Sequence, residues 1–442
     1  MTYPESSSVS AGDATLASHY NNLRADSVFL GKAPTAAIPL GTLLERYETR
    51  LEIEKLTLNT VRVPATAAVP VSLAVRGYLC QAVANVDLLV GGAPAGAAAP
   101  YYVFANRADA STTFTLSVST SSTEGADQRR IGRFYWDGAK IVKDSVRSEL
   151  AGYVADILFL IDPQICAGRL TLSTGVPVPV SDIASSATLY FTPYLGNRIA
   201  LYVQDYGWRL YAFAELTLDV AAIAADKNVD VWIYDNEGTL TLAYTLWSND
   251  TLRATALTLQ DGVLVKTGAP THRYLGTIRT TAAGGLTCDT KLLRFVWNYY
   301  NRLEKSLLVT EDTDNWTYVG TAWQALNSST ANRVQFVIGV DEVLVYLMAS
   351  VYAIHSVAGN LAIGIDLDGV TVNDANLTHG TKGVANPTNQ GWFHAYYRGF
   401  PGIGFHFLQL LEITSAATAN YYGDKASADG ELLSGGLGYL MM

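Results

Sequence analysis

Val229-Asp230-Val231-Trp232-Ile233-Tyr234 runs into the turn Asp235-Asn236-Glu237-Gly238 and returns as Leu240-Thr241-Leu242. A β-branched and aromatic run, a Gly-containing turn and a second such run is the pattern of two antiparallel strands. The same unit recurs on both sides. Thr188-Leu189-Tyr190-Phe191-Thr192 precedes Leu195-Gly196-Asn197, and Ile199-Ala200-Leu201-Tyr202-Val203 precedes Asp205-Tyr206-Gly207. Trp208 to Phe213 then returns, and Arg294 to Asn301 is an aromatic-rich strand. Turns at such short intervals argue for an antiparallel sandwich or barrel over about 166–310 and against βαβ units.

Towards the N-terminus the period of two persists. Leu51 to Leu58 and Val69 to Arg76 alternate, and the small-residue run Gly91 to Pro100 separates them from Tyr101-Tyr102-Val103-Phe104-Ala105 and Thr113 to Val118. Arg133-Phe134-Tyr135-Trp136, Asp137-Gly138 and Lys140-Ile141-Val142-Lys143 predict a hairpin, because Asp-Gly supplies the positive φ that a tight turn needs. Towards the C-terminus, Val334 to Ile338, Val343 to Leu347, Leu361 to Asp366 and Phe405 to Ile413 lead a set of about eight strands in roughly 130 residues, which suits a jelly roll.

Two segments have helical signals. Leu16, Tyr20 and Leu23 fall at i, i+4 and i+7 behind a capping Asp13. A single amphipathic helix cannot bury its face alone, so these three residues are expected to dock on a neighbouring subunit or a separate protein. Val146 to Leu160 suits a helix, or a strand in its second half, where Ile157, Phe159 and Ile161 alternate before Pro163. The expected fold class is therefore all-β: tandem antiparallel β-sandwich domains, a C-terminal jelly roll and a short N-terminal helical anchor. The expected segments are 1–45 (anchor), 46–150 (first β domain), 151–310 (central sandwich or barrel) and 311–442 (jelly roll).

Composition bounds function. Charged residues are 16% of the 442-residue chain, against roughly 25% in ordinary domains. Such depletion, with 26 tyrosines and 8 tryptophans, suits surfaces that face other protein, although half-buried strands also favour Tyr, Thr and Val. The net charge of −10 carries no Lys/Arg run, so nucleic acid is not an expected partner. No apolar stretch reaches the roughly 20 residues of a bilayer span, and the N-terminus lacks the basic and apolar regions of a signal peptide. Cys80, Cys166 and Cys288 are far apart in sequence and are expected to be free buried thiols of a protein folded in a reducing cytoplasm.

Signatures of catalysis are missing: no HExxH, GxSxG, Walker A or GxGxxG pattern occurs. His394 and His406 flank the turn at 398–404, where a hairpin would bring two imidazoles together, but a metal needs a third ligand and His379 sits in an uncertain loop. Ordinary hydrogen-bonded histidines are the expectation. Asp366-Leu367-Asp368-Gly369 superficially resembles a calcium loop but lacks the ligand order of one, so a Gly-containing turn is expected. Glu311-Asp312-Thr313-Asp314 reads as a solvated acidic linker. No catalytic residue, metal or cofactor is assigned. Trp392, Tyr396, Tyr397 and Phe400 gather around the Gly-rich turn near 391–404, where loop aromatics could stack on a sugar or anchor an interface.

Three segments carry a family resemblance. Ala17-Ser18-His19-Tyr20-Asn21-Asn22-Leu23-Arg24-Ala25-Asp26 resembles the short opening segment of many tailed-bacteriophage structural proteins. Arg130-Ile131-Gly132-Arg133-Phe134-Tyr135-Trp136-Asp137-Gly138 resembles a hairpin recurring in phage tail-fibre and related virion proteins. Pro401-Gly402-Ile403-Gly404-Phe405-His406-Phe407-Leu408 is similar to a penultimate jelly-roll strand in trimeric virion heads. The resemblance implies a virion protein of fibre, head-fibre or decoration type, assembled in the host cytoplasm. It also implies a homotrimer that meets other phage structural proteins through Leu16, Tyr20 and Leu23 and faces outward with its C-terminal domain. A host-surface glycan or receptor is then the outer partner. A carbohydrate-binding adhesin and a polysaccharide depolymerase are the rival readings.

Overall fold

The computed structural model describes residues 51–75, 78–89, 97–108, 111–149, 162–355, 361–374, 377–380, 390–415, 418–424 and 433–442. Among these residues the chain forms β-strands, the single-turn 3₁₀ helices Lys143–Ser145 and Leu326–Ser328, and no α-helix. The helix expected at Leu16, Tyr20 and Leu23 lies outside the described residues. Most of the second helical candidate does as well, but Arg147–Ser148 at its start is a strand paired with Gly132 and Arg133.

The stretch from Val229 to Leu242 folds as its turn chemistry requires. Asn228–Asn236 and Thr239–Leu246 pair antiparallel with Asn236 opposite Thr239. The two loop residues Glu237 and Gly238 take φ of 54° and 93°, the mirror-image turn that matches strand twist. The hairpin expected after Trp136 is only half formed. Asp137 N–H donates to Lys140 O at 3.1 Å, but the returning arm keeps one bridge, Trp136 to Ile141, before the 3₁₀ turn. Ser145 accounts for the loss: its hydroxyl accepts the Tyr135 N–H at 2.9 Å, taking the place of a ladder bond.

The chain divides into two compact units, residues 1–161 with 203–209, and residues 162–202 with 210–442. In the first, a sheet ordered Thr115–Ser119, Ala99–Asn106, Gln128–Trp136, Arg147–Ser148 and two smaller sheets enclose a core that includes Val61, Val63, Val75, Val103, Ile131 and Phe134.

The second unit holds two hydrophobic clusters. One, around Leu189, Phe191, Ile199, Val231 and Ile278, lies between a three-stranded sheet (Gly168–Thr171, Thr188–Pro193, Leu216–Asp219) and the sheet led by Asn228–Asn236 and Ala269–Arg279. The other fills a jelly roll. Its strands are β1 (Glu304–Thr310), β2 (Arg333–Ile338), β3 (Val345–His355), β4 (Leu361–Leu367), β5 (Leu377–Gly380), β6 (Gln390–Gly399), β7 (Gly404–Thr414) and β8 (Gly435–Met441). One sheet runs β1-β8-β3-β6 and the other β2-β7-β4, with every pair antiparallel. Successive strands thus cross between sheets, which is the jelly-roll order. The fifth strand departs from it by pairing with β6.

Residue alternation makes this sandwich. Along β3, Val345, Leu347, Ala349, Val351 and Ala353 are buried while the residues between them are not. They meet Ile363 and Ile365 of β4 and Leu408 and Leu410 of β7 in one core cluster, where each buried aliphatic side chain contributes roughly 1.5–3 kcal/mol. β8 threads between β1 and β3 because it is glycine-rich: a Cβ on Gly438 would lie 2.0 Å from the Tyr346 carbonyl oxygen. The second sheet does not end at residue 310. Leu293–Arg294 pairs parallel with β2, so strands from both sides of that position share it.

Candidate interaction face of the jelly roll

The outer face of the β1-β8-β3-β6 sheet is built by the alternate residues of each strand, and the register sets them in rows. Glu304 lies opposite Met441 at one end. The next row is Ser306, Tyr439, Tyr346 and Arg398, followed by Leu308, Leu437, Met348 and Tyr396. A lower row of Thr310, Gly435, Ser350 and His394 crosses the middle. Beyond it, Tyr422 of the short strand Ala419–Tyr422 lies beside Tyr352 and Trp392, and Asn420 beside Ile354 and Gln390.

Rings dominate this surface. Tyr346 and Tyr439 sit 5.4 Å apart, and Tyr352 packs edge-on at 5.6 Å against Trp392 and 5.8 Å against Tyr422. Leu437 is 55% exposed, and Trp392, Tyr439 and Met441 are each at least 40% exposed. Of the side chains in these rows only Glu304 and Arg398 are charged, and they stand on opposite sides of the four-stranded face, on β1 and β6. Exposed aromatic and aliphatic rows on both sides of a small polar row, with the few charges at the margin, have the composition of a contact surface.

The four aromatics singled out in the sequence divide between environments. Residues 390–399 are a strand and not a loop, so neighbours in sequence point to opposite faces. Trp392 and Tyr396 share the outer face. Tyr397 is fully buried in the core, and burial, with Asp374 and Asp368 adding to it, raises its phenol pKa above the ordinary value. It cannot touch a partner. Phe400 is 65% exposed at the turn leaving β6, off the rows. Tyr346, Met348, Leu437 and Tyr439 were missed. The alternation of β3 and β8 is plain in sequence, but which of its two faces meets water depends on the sheet partner.

Of the histidine and carboxylate candidates, His406, Asp366, Asp368 and Glu311 are held in hydrogen bonds of the framework. β6 and β7 lie in different sheets, so the turn after Gly399 does not pair His394 with His406. His406 instead donates through Nδ1 to Asp368 at 2.8 Å, and the other oxygen of Asp368 accepts the Phe407 N–H at 2.9 Å. Asp368 has φ of 59°, as expected of a tight turn, and Asp366 closes that turn by accepting the N–H groups of Thr371 and Val372. Burial raises the pKa of Asp366 despite these bonds. Glu311 departs from the solvated linker expected of it. It is buried, accepts the Thr313 N–H at 2.9 Å and bonds the Asn332 amide. Burial alone would raise its pKa, and these hydrogen bonds outweigh that and lower it. Among the described residues no group of three or more His, Cys, Asp or Glu is placed to hold a metal ion.

Other buried charges of the second unit are also bound into the framework. The Arg273 guanidinium, fully buried, donates to the carbonyls of Pro163, Gln164, Ile165 and Ala200 at 2.7–3.1 Å. Asp230 accepts Arg253 at 2.7 Å and Thr277 at 2.7 Å. Buried charges hold their ionised form only when such partners surround them. No helix among the described residues is long and apolar enough to cross a membrane.

No family model matches the chain, and no curated protein matches it. Solved structures with partial likeness include an insecticidal delta-endotoxin of Bacillus thuringiensis (8% identity, TM-score 0.20, 62% of this chain and 52% of that one). They also include the stem and receptor-binding domain of the spike protein of bacteriophage PM2 (12% identity, TM-score 0.14, 60% and 98%). A third is the VP2 protein of infectious bursal disease virus (13% identity, TM-score 0.17, 60% and 71%). The chain spans about half the length of the toxin. Viral spike and capsid proteins are thus among its distant structural neighbours, but at these TM-scores the likenesses carry no argument, and function rests on the residues.

Proposed function

We propose that this chain is a structural and binding component of a virion, an oligomeric appendage of a tailed bacteriophage that works by contact and not by catalysis. In this reading the first 45 residues attach it to the particle and the jelly roll faces outward. The observation that carries it is the outer sheet face of the jelly roll, a broad surface on which Trp392, Leu437, Tyr439 and Met441 are exposed. Polar side chains buried in that domain, such as Glu311, Glu412 and Asp366, are occupied in holding its own strands and turns. Purified particles should contain the chain, located by antibody labelling in electron micrographs, and removal of residues 1–32 should abolish its incorporation. Particles lacking the chain, or full incorporation of the truncated form, would sink the proposal.

Recognition of a host glycan is a second reading, favoured by the exposure of Trp392 and Phe400, since flat rings stack on sugar faces. It predicts binding on a glycan array that Trp392→Ala weakens and Tyr397→Ala does not weaken in any variant that stays folded.

A further inference from the structure

We infer that the outer face of the β1-β8-β3-β6 sheet packs against the same face of a second copy of the chain, forming a twofold pair. The inference rests on the reading of this face as a contact surface, not on the virion assignment.

Size is the first argument. Four strands spaced about 4.8 Å apart and six side-chain rows about 6.6 Å apart, the end rows spanning only part of the width, give a face of roughly 20 by 30 Å. That is on the order of 600 Å² in projection, before side-chain relief is added. A stable protein pair takes about 800 Å² from each partner, so the face is large enough to form one, whereas a sugar would cover only a fraction of it.

Charge is the second. A face that meets itself must not set like charges together. In a twofold pair with its axis along the strands and midway between β1 and β6, the β1 side of one face lies over the β6 side of the other. Glu304 stands on β1 at one side of the face and Arg398 on β6 at the other, about one row apart along the strands. Self-pairing therefore brings opposite charges together twice and leaves Leu437, Met348, Tyr346 and Tyr439 to be buried at the centre. Two aligned sheets about 10 Å apart are the ordinary geometry of such packing, and identical patches meeting face to face close at two copies.

The test is sedimentation equilibrium of the full chain at tens of micromolar. Wild type is expected at twice the chain mass. Leu437→Glu and Met348→Glu should each weaken the pair at least tenfold, while Leu259→Glu, a residue 65% exposed on another sheet, should not. Arg398→Glu should weaken it several-fold, and the exchange Glu304→Arg with Arg398→Glu should restore it. That reciprocal rescue cannot come from misfolding, so it decides the matter even where a single variant unfolds. One chain mass or three for wild type, a pair that survives both glutamate variants, or absence of rescue overturns the inference. Normal incorporation of an unpaired variant into particles would then separate this failure from failure of the virion assignment.

Discussion

The indole N–H of Trp316 donates at 2.8 Å to a carboxylate oxygen of Glu412, joining the two sheets of the jelly roll through a buried acid. Gln324 donates to the other oxygen at 2.7 Å, and Trp316 in turn stacks on Tyr421 with ring centres 5.5 Å apart. Burial raises Glu412 from 4.5 to about 7, against the pull of those two donors and with Glu311 adding to the rise.

A pH dependence follows from that shift. The unfolded chain releases this proton near 4.5 and the folded chain near 7. The contribution of Glu412 is therefore full below about 4.5 and falls as the pH rises through 7. Glu412→Gln keeps an oxygen for Trp316, with Gln324 turning its own amide to match. Its melting temperature relative to wild type should climb between pH 4.5 and 7, by the equivalent of at most on the order of 3 kcal/mol. A difference that stays flat across that range, read by calorimetry, would show that Glu412 does not titrate there.

Arg273 should tolerate no substitute. Lysine cannot reach the carbonyls of Pro163, Gln164, Ile165 and Ala200 together, because its donors radiate from one nitrogen instead of a planar fork. Arg273→Lys should cost on the order of 3 kcal/mol or more, since stranded buried acceptors each cost about 1–3 kcal/mol. Chemical denaturation measures it, and a loss below 1 kcal/mol would contradict the bonding described.

Two glycines of the same sheet should behave oppositely. A methyl on Gly438 meets the Tyr346 carbonyl oxygen at 2.0 Å, whereas one on Gly391 meets nothing within 4 Å. Gly438→Ala should destabilise by about 3 kcal/mol or more through forced separation of β8 from β3. Gly391→Ala should be neutral or slightly stabilising. Equal melting temperatures for the two variants would be the contrary result.

All three cysteines are buried and unbridged. Burial pushes the Cys166 and Cys288 thiols up to about 11 and about 12, away from the reactive thiolate. A thiol reagent at pH 8 should label none of them within minutes in the native protein and all three in denaturant. Rapid native labelling at Cys166 or Cys288 would show local opening.

Much of this fold is legible in the chain because strand alternation and turn chemistry are local. Asp235 to Gly238 closes a hairpin, Asp368-Gly369 closes a turn, and the period of two in β3 marks its buried face. Partnership is not local. Nothing near Glu304 says that it lies opposite Met441, or that Leu293–Arg294 will extend a sheet through β2. The candidate site suffered for the same reason. Trp392 and Tyr396 are conspicuous in the sequence, but Tyr397 is just as aromatic, and only the sheet on which β6 lies sends it inward. Glu311 looks solvated beside Asp312 and Asp314, and it is the Asn332 amide, twenty-one positions away, that takes it into the core.

The pairing of β1 with β8 has a mechanical side. These strands are antiparallel, with Glu304 beside Met441, so the segment entering the domain and the one completing it meet at the same end of one ladder. Tension applied between those two ends would peel the ladder open bond by bond, as a zipper runs, and the domain yields easily along that line. Force delivered to β3, which is bonded on both sides by β8 and β6, instead loads many bonds at once in shear. The domain should therefore open at lower force when pulled between Glu304 and Met441 than when loaded along β3.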